Sequence, residues 1–177
     1  WIMVVGTESG PPACGEEGEG RMSDPEAIVE AVLGVLGMRT MLAGIKVLVS
    51  AGGTREPIDP VRFVGNRSSG KMGYALASTA ARMGAEVQLV SGPSALACPG
   101  GVERVMVETA EEMRREVLTR ASECRAVIMA AAVADFTPAE TKAEKIKRGG
   151  REKLILELVR TPDILAVFGE MKKEGQV

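Results

Sequence analysis

Residues 46–74 read KVLVSAGGTREPIDPVRFVGNRSSGKMGY, and this stretch decides the fold. Lys46 to Ser50 has the apolar run of a buried strand. It passes into Ala51-Gly52-Gly53-Thr54, then a polar loop, then a helix entered at Ser68-Ser69-Gly70-Lys71-Met72-Gly73. Strand, glycine turn and helix start form the anion-handling end of an α/β sheet. Glycine lets backbone N–H groups approach a phosphate, and a helix N-terminus carries partial positive charge.

Downstream, strands and helices alternate. The helix over 70–83 is expected to turn Met72, Leu76, Thr79, Ala80 and Met83 inward and to stop at Gly84. A strand over 86–90 ends at Ser91-Gly92-Pro93, and a short one is expected near 102–107. Thr109 and Glu112 form a capping box for a helix burying Met113, Val117, Leu118 and Ala121. Residues 126–131, AVIMAA, read as a strand covered on both faces. A basic loop over 137–151 precedes a strand over 153–159. Thr161-Pro162-Asp163 then opens a last helix, with a cap and an N1 proline. This alternation predicts an α/β fold with a Rossmann-like, doubly wound, mainly parallel sheet. Its ligand crevice is expected at the strands' carboxyl ends, where Gly52–Thr54, Ser91–Pro93 and Ala132–Asp135 fall.

Upstream, WIMVVG reads as a strand end and residues 7–22 as a Gly-, Glu- and Pro-rich linker-like loop. A helix follows, with Ser23 or Asp24 as cap, Pro25 in its first turn and an apolar stripe of Ile28, Val29, Val32 and Leu36. Gly37 ends it.

Composition narrows the function classes. The 177 residues are 45% hydrophobic and only 3% aromatic, so the core is aliphatic and stacking platforms for single-stranded nucleic acid are not expected. The net charge of −2 gives no global attraction to nucleic acid. No segment reaches the run of about 20 apolar residues that spans a membrane. The chain has no histidine, which removes Ser-His-Asp and Cys-His catalysis. Cys14, Cys98 and Cys124 form no CxxC pair, which argues against a zinc site or disulfide framework and fits a reducing cytoplasm.

The loop before the helix admits three readings. Gly65 to Lys71 fits GxxxxGK, but Met72 stands where a P-loop needs Ser or Thr for magnesium, and the loop does not follow the strand directly. A dinucleotide site lacks both GxGxxG and a carboxylate after the 86–90 strand; NADP, whose phosphate uses serine and basic residues, stays open on pattern alone. The third reading is a family resemblance. GGTREPIDPVRFVGNRSSGKMG, LVSGP, AAVADF and EKIKR, in that order, resemble the phosphopantothenoylcysteine synthetase domain of the bifunctional coenzyme A biosynthesis proteins, over about residues 44–177. SGPPACGEEGEGRM resembles the carboxyl end of that family's flavin-dependent decarboxylase domain. The expected organisation is therefore a strand–loop–helix remnant of a flavodoxin-like domain over 1–37, a linker over 38–45, and the synthetase domain over 46–177, short of its C-terminal end.

The resemblance implies CTP-dependent ligation of 4′-phosphopantothenate to L-cysteine through an acyl-cytidylate, with magnesium, and FMN in the parent's decarboxylase part. It implies that Gly52, Gly53, Ser68, Ser69 and Gly70 surround phosphates and that Asn66 stabilises the acyl-cytidylate. Met129, Ala130, Ala131, Asp135, Pro162, Asp163, Ile164 and Leu165 would line the nucleotide. Asp135 would accept ribose hydroxyls or hold magnesium through water. Lys145 heads Lys145-Ile146-Lys147-Arg148, similar to a family KxKK segment that neutralises phosphate; Arg148 keeps the charge of its last lysine. Cys14 matches the decarboxylase's proton donor. A homodimer of the synthetase domain is also implied, with neither nucleic acid nor membrane as partner. Two rival readings remain: an NADP-binding reductase on the same fold, and a nucleotide-sensing module without turnover. Considered without the resemblance, the glycines are turn formers, Asn66 a turn residue, Asp135 and Asp163 caps, and the basic run a solvated loop.

Overall fold

The computed structural model describes residues 2, 4–10, 18–37, 40–149 and 152–177, and divides the chain into two compact units, Trp1–Met41 and Leu42–Val177. In the first unit, β1 (Thr7–Gly10) and β2 (Gly18–Met22) pair as an antiparallel hairpin, where the sequence reads as loop. Gly, Glu and Ser carry little strand propensity, so cross-strand pairing makes this element rather than local preference. Residues 4–6 are not strand. Helix α1 (Pro25–Val35) is capped by Asp24, whose carboxylate accepts the Glu26 N–H at 3.1 Å. Ser23 is buried instead, its hydroxyl donating to the Gly6 carbonyl. The expected apolar stripe stays largely uncovered: Val29, Val32 and Leu36 are exposed.

The second unit is built on a parallel sheet of β3 (Lys46–Ala51), β6 (Glu86–Ser91), β7 (Val102–Met106) and β8 (Ala126–Met129), in the order β7-β6-β3-β8. In chain order within this sheet the arrangement is 3-2-1-4, the first part of a doubly wound sheet, with its switch point between β3 and β8. Both faces are covered. Val47, Val49 and Ala51 point to one side and pack with Tyr74, Ala77 and Ala80 of α2 (Lys71–Arg82). Leu48 points to the other and packs with Met113 and Val117 of α3 (Ala110–Ala121) and with Ile164 and Phe168 of α4 (Ile164–Met171). The two-residue period of a strand makes this division.

Several expectations are corrected. Helix α2 buries Gly73, Tyr74, Ala77 and Ala80, while Met72 is 67% exposed and Leu76 is also exposed. A Cβ at Gly73 would lie 2.5 Å from Ala51 Cβ, so at that point the helix sits too close to β3 for any side chain. Strand β8 ends at Met129 and is half-buried throughout, as one of the two outer strands of the four. Leu42 and Ile45, expected in the linker, pack on the sheet core, and Ile45 accepts the Glu86 N–H at 2.9 Å. The strand expected over 153–159 is β10 (Leu158–Arg160), which pairs antiparallel with β9 (Phe136–Pro138) outside the parallel sheet. A second small hairpin, β4 (Arg55–Pro57) with β5 (Phe63–Gly65), separates β3 from α2. The capping box on α3 is present, with Glu112 N–H 3.2 Å from Thr109 Oγ1.

Candidate functional site

The glycines at the end of β3 create a backbone-lined cradle. Gly52 has φ +77° and Gly70 φ +79°, a region that side chains disfavour. A Cβ at Gly92 would lie 2.4 Å from the Gly53 carbonyl oxygen, and one at Gly70 would lie 3.2 Å from Gly52 N. Three backbone segments, from the ends of β3 and β6 and the start of α2, thus meet without intervening side chains. Gly70 caps α2 without a side-chain hydrogen bond, so the first turn keeps its N–H dipoles for an anion. Ser68 Oγ accepts the Gly70 N–H at 3.3 Å, and Ser94 Oγ donates to the Ser69 carbonyl at 3.0 Å, holding the approach to the helix.

Beneath the cradle, the Ser91 hydroxyl donates to the Gly92 carbonyl at 2.7 Å, so the Tyr74 hydroxyl 3.0 Å away donates to Ser91. Arg104 Nη1 donates to Tyr74 at 3.3 Å and to the Leu96 carbonyl at 3.1 Å. The phenol holds the Arg104 guanidinium above its usual range.

Asn66 lies over Gly53, whose Cβ would meet the Asn66 carbonyl oxygen at 3.0 Å. Its Oδ1 accepts the Ser68 N–H at 2.9 Å. That bond makes the Nδ2 group the donor end of an exposed amide.

The β8 side of the crevice is tied to β3 by two buried hydroxyls that the sequence reading did not single out. Ser50 Oγ accepts the N–H groups of Ala130 and Ala131 at 3.1 and 3.2 Å. Thr54 Oγ1 accepts the Ala134 N–H at 2.9 Å. Between them, Ala132 donates to the Gly52 carbonyl at 2.7 Å and Thr54 N–H donates to the Ala132 carbonyl at 3.2 Å. The available signal was a hydroxyl at the end of an otherwise apolar strand, since a buried hydroxyl needs a partner. Met129 and Ala131 pack on the α3–α4 side of the core. Asp135 is exposed, and its carbonyl accepts the Thr161 N–H at 3.0 Å. With Phe136, Arg160 and Thr161 it lines a hollow of about 310 Å³.

The 162–165 segment divides by role. Asp163 caps α4, accepting the Ala166 N–H at 2.9 Å, so Pro162 precedes the cap and is not the N1 residue. Ile164 is buried in the core and Leu165 is exposed. The basic loop is not held by the cradle but by the β4–β5 hairpin. Asp59 Oδ2 accepts the Ile146 N–H at 3.0 Å and Arg62 Nη1 at 2.8 Å. Burial alone would push the Asp59 carboxyl up; the N–H groups of Ile146, Val61 and Arg62 and the Arg62 charge outweigh it and hold the carboxyl below its usual range. Lys145 and Lys147 are exposed on either side of half-buried Ile146.

Cys14 and Arg151 lie outside the described residues. Cys98 and Cys124 are free thiols; burial pushes the Cys124 thiol up, which suits a packing role. Among the described residues no cluster of three or more His, Cys, Asp or Glu converges on a metal position, and no helix is long and apolar enough to cross a membrane.

Residues 42–177 match the family described as DNA/pantothenate metabolism flavoprotein C-terminal domain. The coenzyme A biosynthesis bifunctional protein CoaBC of Haemophilus influenzae is 43% identical over 171 residues, covering 97% of this chain and 42% of the relative. That of Mycolicibacterium smegmatis is 44% identical over 180 residues, covering 99% of this chain and 44% of the relative. The chain thus spans less than half the length of these relatives. The crystal structure of the C-terminal domain of a coenzyme A biosynthesis bifunctional protein CoaBC superposes with a TM-score of 0.67 at 47% identity, covering 77% of this chain and 63% of that one. On the match over 42–177, the chain belongs to the DNA/pantothenate metabolism flavoprotein C-terminal domain family.

Proposed function

We propose that this chain serves coenzyme A biosynthesis, and that its second unit joins 4′-phosphopantothenate to L-cysteine at the expense of CTP. The observation that carries the reading is the meeting of a bare glycine cradle, an uncapped helix start and the Asn66 amide at the switch point of the sheet. The names of the relatives support the pathway.

In this reading a substrate carboxylate oxygen attacks the α-phosphorus of CTP, and the bond to pyrophosphate breaks. The cysteine amine nitrogen then attacks the acyl carbon; the bond to CMP breaks and the amine gives up a proton. The N–H groups at Gly52, Gly53 and the start of α2 receive phosphate oxygens, with Ser68 and Ser69 shaping the approach. Asn66 Nδ2 donates to the oxygen on which charge develops during acyl transfer. Asp135 accepts ribose hydroxyls or the magnesium that enters with CTP, and Lys145 neutralises the departing pyrophosphate. Met129 to Ala131 and Pro162 to Leu165 form the nucleoside wall. FMN and Cys14 belong to the decarboxylase part of the same proposal, supported by the family's description as a flavoprotein; no described residue is assigned to the flavin. A homodimer is the assembly expected.

The test is pyrophosphate release with magnesium, 4′-phosphopantothenate and each nucleoside triphosphate in turn. Release with CTP that requires the pantothenate compound is the expected result. CTP binding without turnover in the full-length parent would favour the sensing module, and preferential binding of NADP would favour the reductase; either overturns the ligase reading.

A further inference from the structure

The basic loop carries the phosphate-binding charge in the reading above, yet its backbone is held by a residue with no assigned part. The Asp59 side chain is fully buried and takes four hydrogen bonds. Oδ1 accepts the N–H groups of Val61 and Arg62, both at 2.8 Å, which shapes the turn between β4 and β5. Oδ2 accepts Arg62 Nη1 at 2.8 Å and the Ile146 N–H at 3.0 Å. The same guanidinium donates from Nη1 and Nη2 to the Ile146 carbonyl, each at 3.2 Å. The Ile146 N–H lies in the peptide joining it to Lys145, and its carbonyl in the peptide joining it to Lys147. Asp59 and Arg62 therefore grip the loop on both sides of one residue. Around this grip, Arg62, Lys147, Arg148 and Lys153, with Glu152, line a hollow of about 370 Å³.

We propose that Asp59 is a positioning residue: by gripping Ile146 together with Arg62, it sets Lys145 and Lys147 for a triphosphate. By composition the loop is a charge-bearing segment, and long lysine side chains bind phosphate only when their backbone is placed within reach. A carboxylate suits the task because every group facing it is a donor; an amide in its place would oppose two of them. The proposal rests on the nucleotide reading for its phosphate half, while the grip itself stands on geometry alone.

The discriminating variant is Asp59→Asn. Its amide oxygen keeps the turn bonds to Val61 and Arg62, while its NH₂ faces Ile146 N–H and Arg62 Nη1. Trypsin cleaves after Lys145, Lys147 and Arg148, so limited proteolysis reads the grip directly. Cleavage there is expected to accelerate about tenfold, with sites in α2 and α3 unchanged. CTP affinity is expected to fall about tenfold and cytidine affinity to change less than about twofold. Arg62→Gln, which removes the carbonyl half of the grip, is expected to accelerate the same cleavages and carries the test should Asp59→Asn not fold. Unchanged loop cleavage in a folded variant overturns the grip, and equal losses for CTP and cytidine overturn its phosphate role. Failure of the wild-type chain to bind CTP would instead remove the nucleotide reading, leaving the cleavage result to decide the grip.

Discussion

The Thr54 hydroxyl accepts the backbone N–H of Ala134 at 2.9 Å, linking the turn after β3 to the residue before Asp135. Thr54 has no solvent exposure and Ala134 is half-buried. Thr54→Val keeps the shape and strands the Ala134 N–H, which is expected to cost about 1–3 kcal/mol. Thr54→Ser retains the oxygen and is expected to recover most of it. Urea denaturation of the two variants checks the difference; equal stabilities would show that the hydroxyl is not the tie.

Gly92→Ala tests the cradle itself. The added Cβ would meet the Gly53 carbonyl oxygen at 2.4 Å, and both neighbours are backbone that cannot swing aside. Overpacking of about 1–3 kcal/mol is expected, seen as a lower melting temperature, together with lost CTP binding. A variant of wild-type stability that binds CTP normally would mean the strand ends are less closely apposed.

Asn66→Asp separates structure from chemistry. The carboxylate still accepts the Ser68 N–H, so the loop should persist, but the amide donor is gone. Stability is expected to stay close to wild type and CTP binding to weaken, since the new negative charge faces the triphosphate, while acyl transfer to cysteine at saturating CTP falls by about 100-fold or more. Normal product formation by this variant would remove Asn66 from the mechanism.

Lys145→Gln removes one charge from an exposed residue. CTP affinity is expected to drop about tenfold at low salt, with cytidine unaffected, and the gap should narrow as salt screens the remaining charges. Isothermal titration with both ligands reads this; a loss shared equally by cytidine would contradict a phosphate contact.

Acid should loosen the hairpin before the sheet. The Asp59 carboxyl is depressed below its ordinary value of 3.8, so its stabilising contribution is complete above that pH and disappears as pH falls through the lower folded-state value. Faster tryptic-site exposure around Lys145 cannot be read at such pH, but pepsin cleavage or amide exchange at Ile146 can. Protection of the Ile146 amide is expected to be lost in wild type as pH falls below the ordinary carboxyl value of 3.8, and Asp59→Asn to show no such step. A step of equal size in both would assign the transition to other carboxyls.

How much of this was legible beforehand differs by element. Lys46 to Gly53, the Thr109–Glu112 capping box and the helix end at Gly84 carry their structure in local signals: an apolar run, two cap residues at the right spacing, a glycine at a positive φ of 93°. The face of α2 is not legible in hydrophobicity, which points to Met72 and Leu76, whereas the close approach of α2 to β3 at Gly73 turns Gly73, Tyr74, Ala77 and Ala80 inward. The pairing of β9 with β10 was equally hidden, since an antiparallel register between Phe136 and Arg160 spans a loop that local pattern cannot close.

The sequence by itself determined the alternation of strands and helices, the glycine turn, and the four ordered motifs that mark the family. Those are properties of residues near one another along the chain. Only the tertiary structure decided that Ser50 and Thr54 hold the backbone of 130–134, that Asn66 rests on Gly53, and that Asp59 reaches Ile146 across 87 residues of sequence. Hydrogen bonds of that kind have no periodicity and no spacing rule. They exist because folding buries a polar group, and a buried polar group takes whichever donor the packed backbone brings within reach.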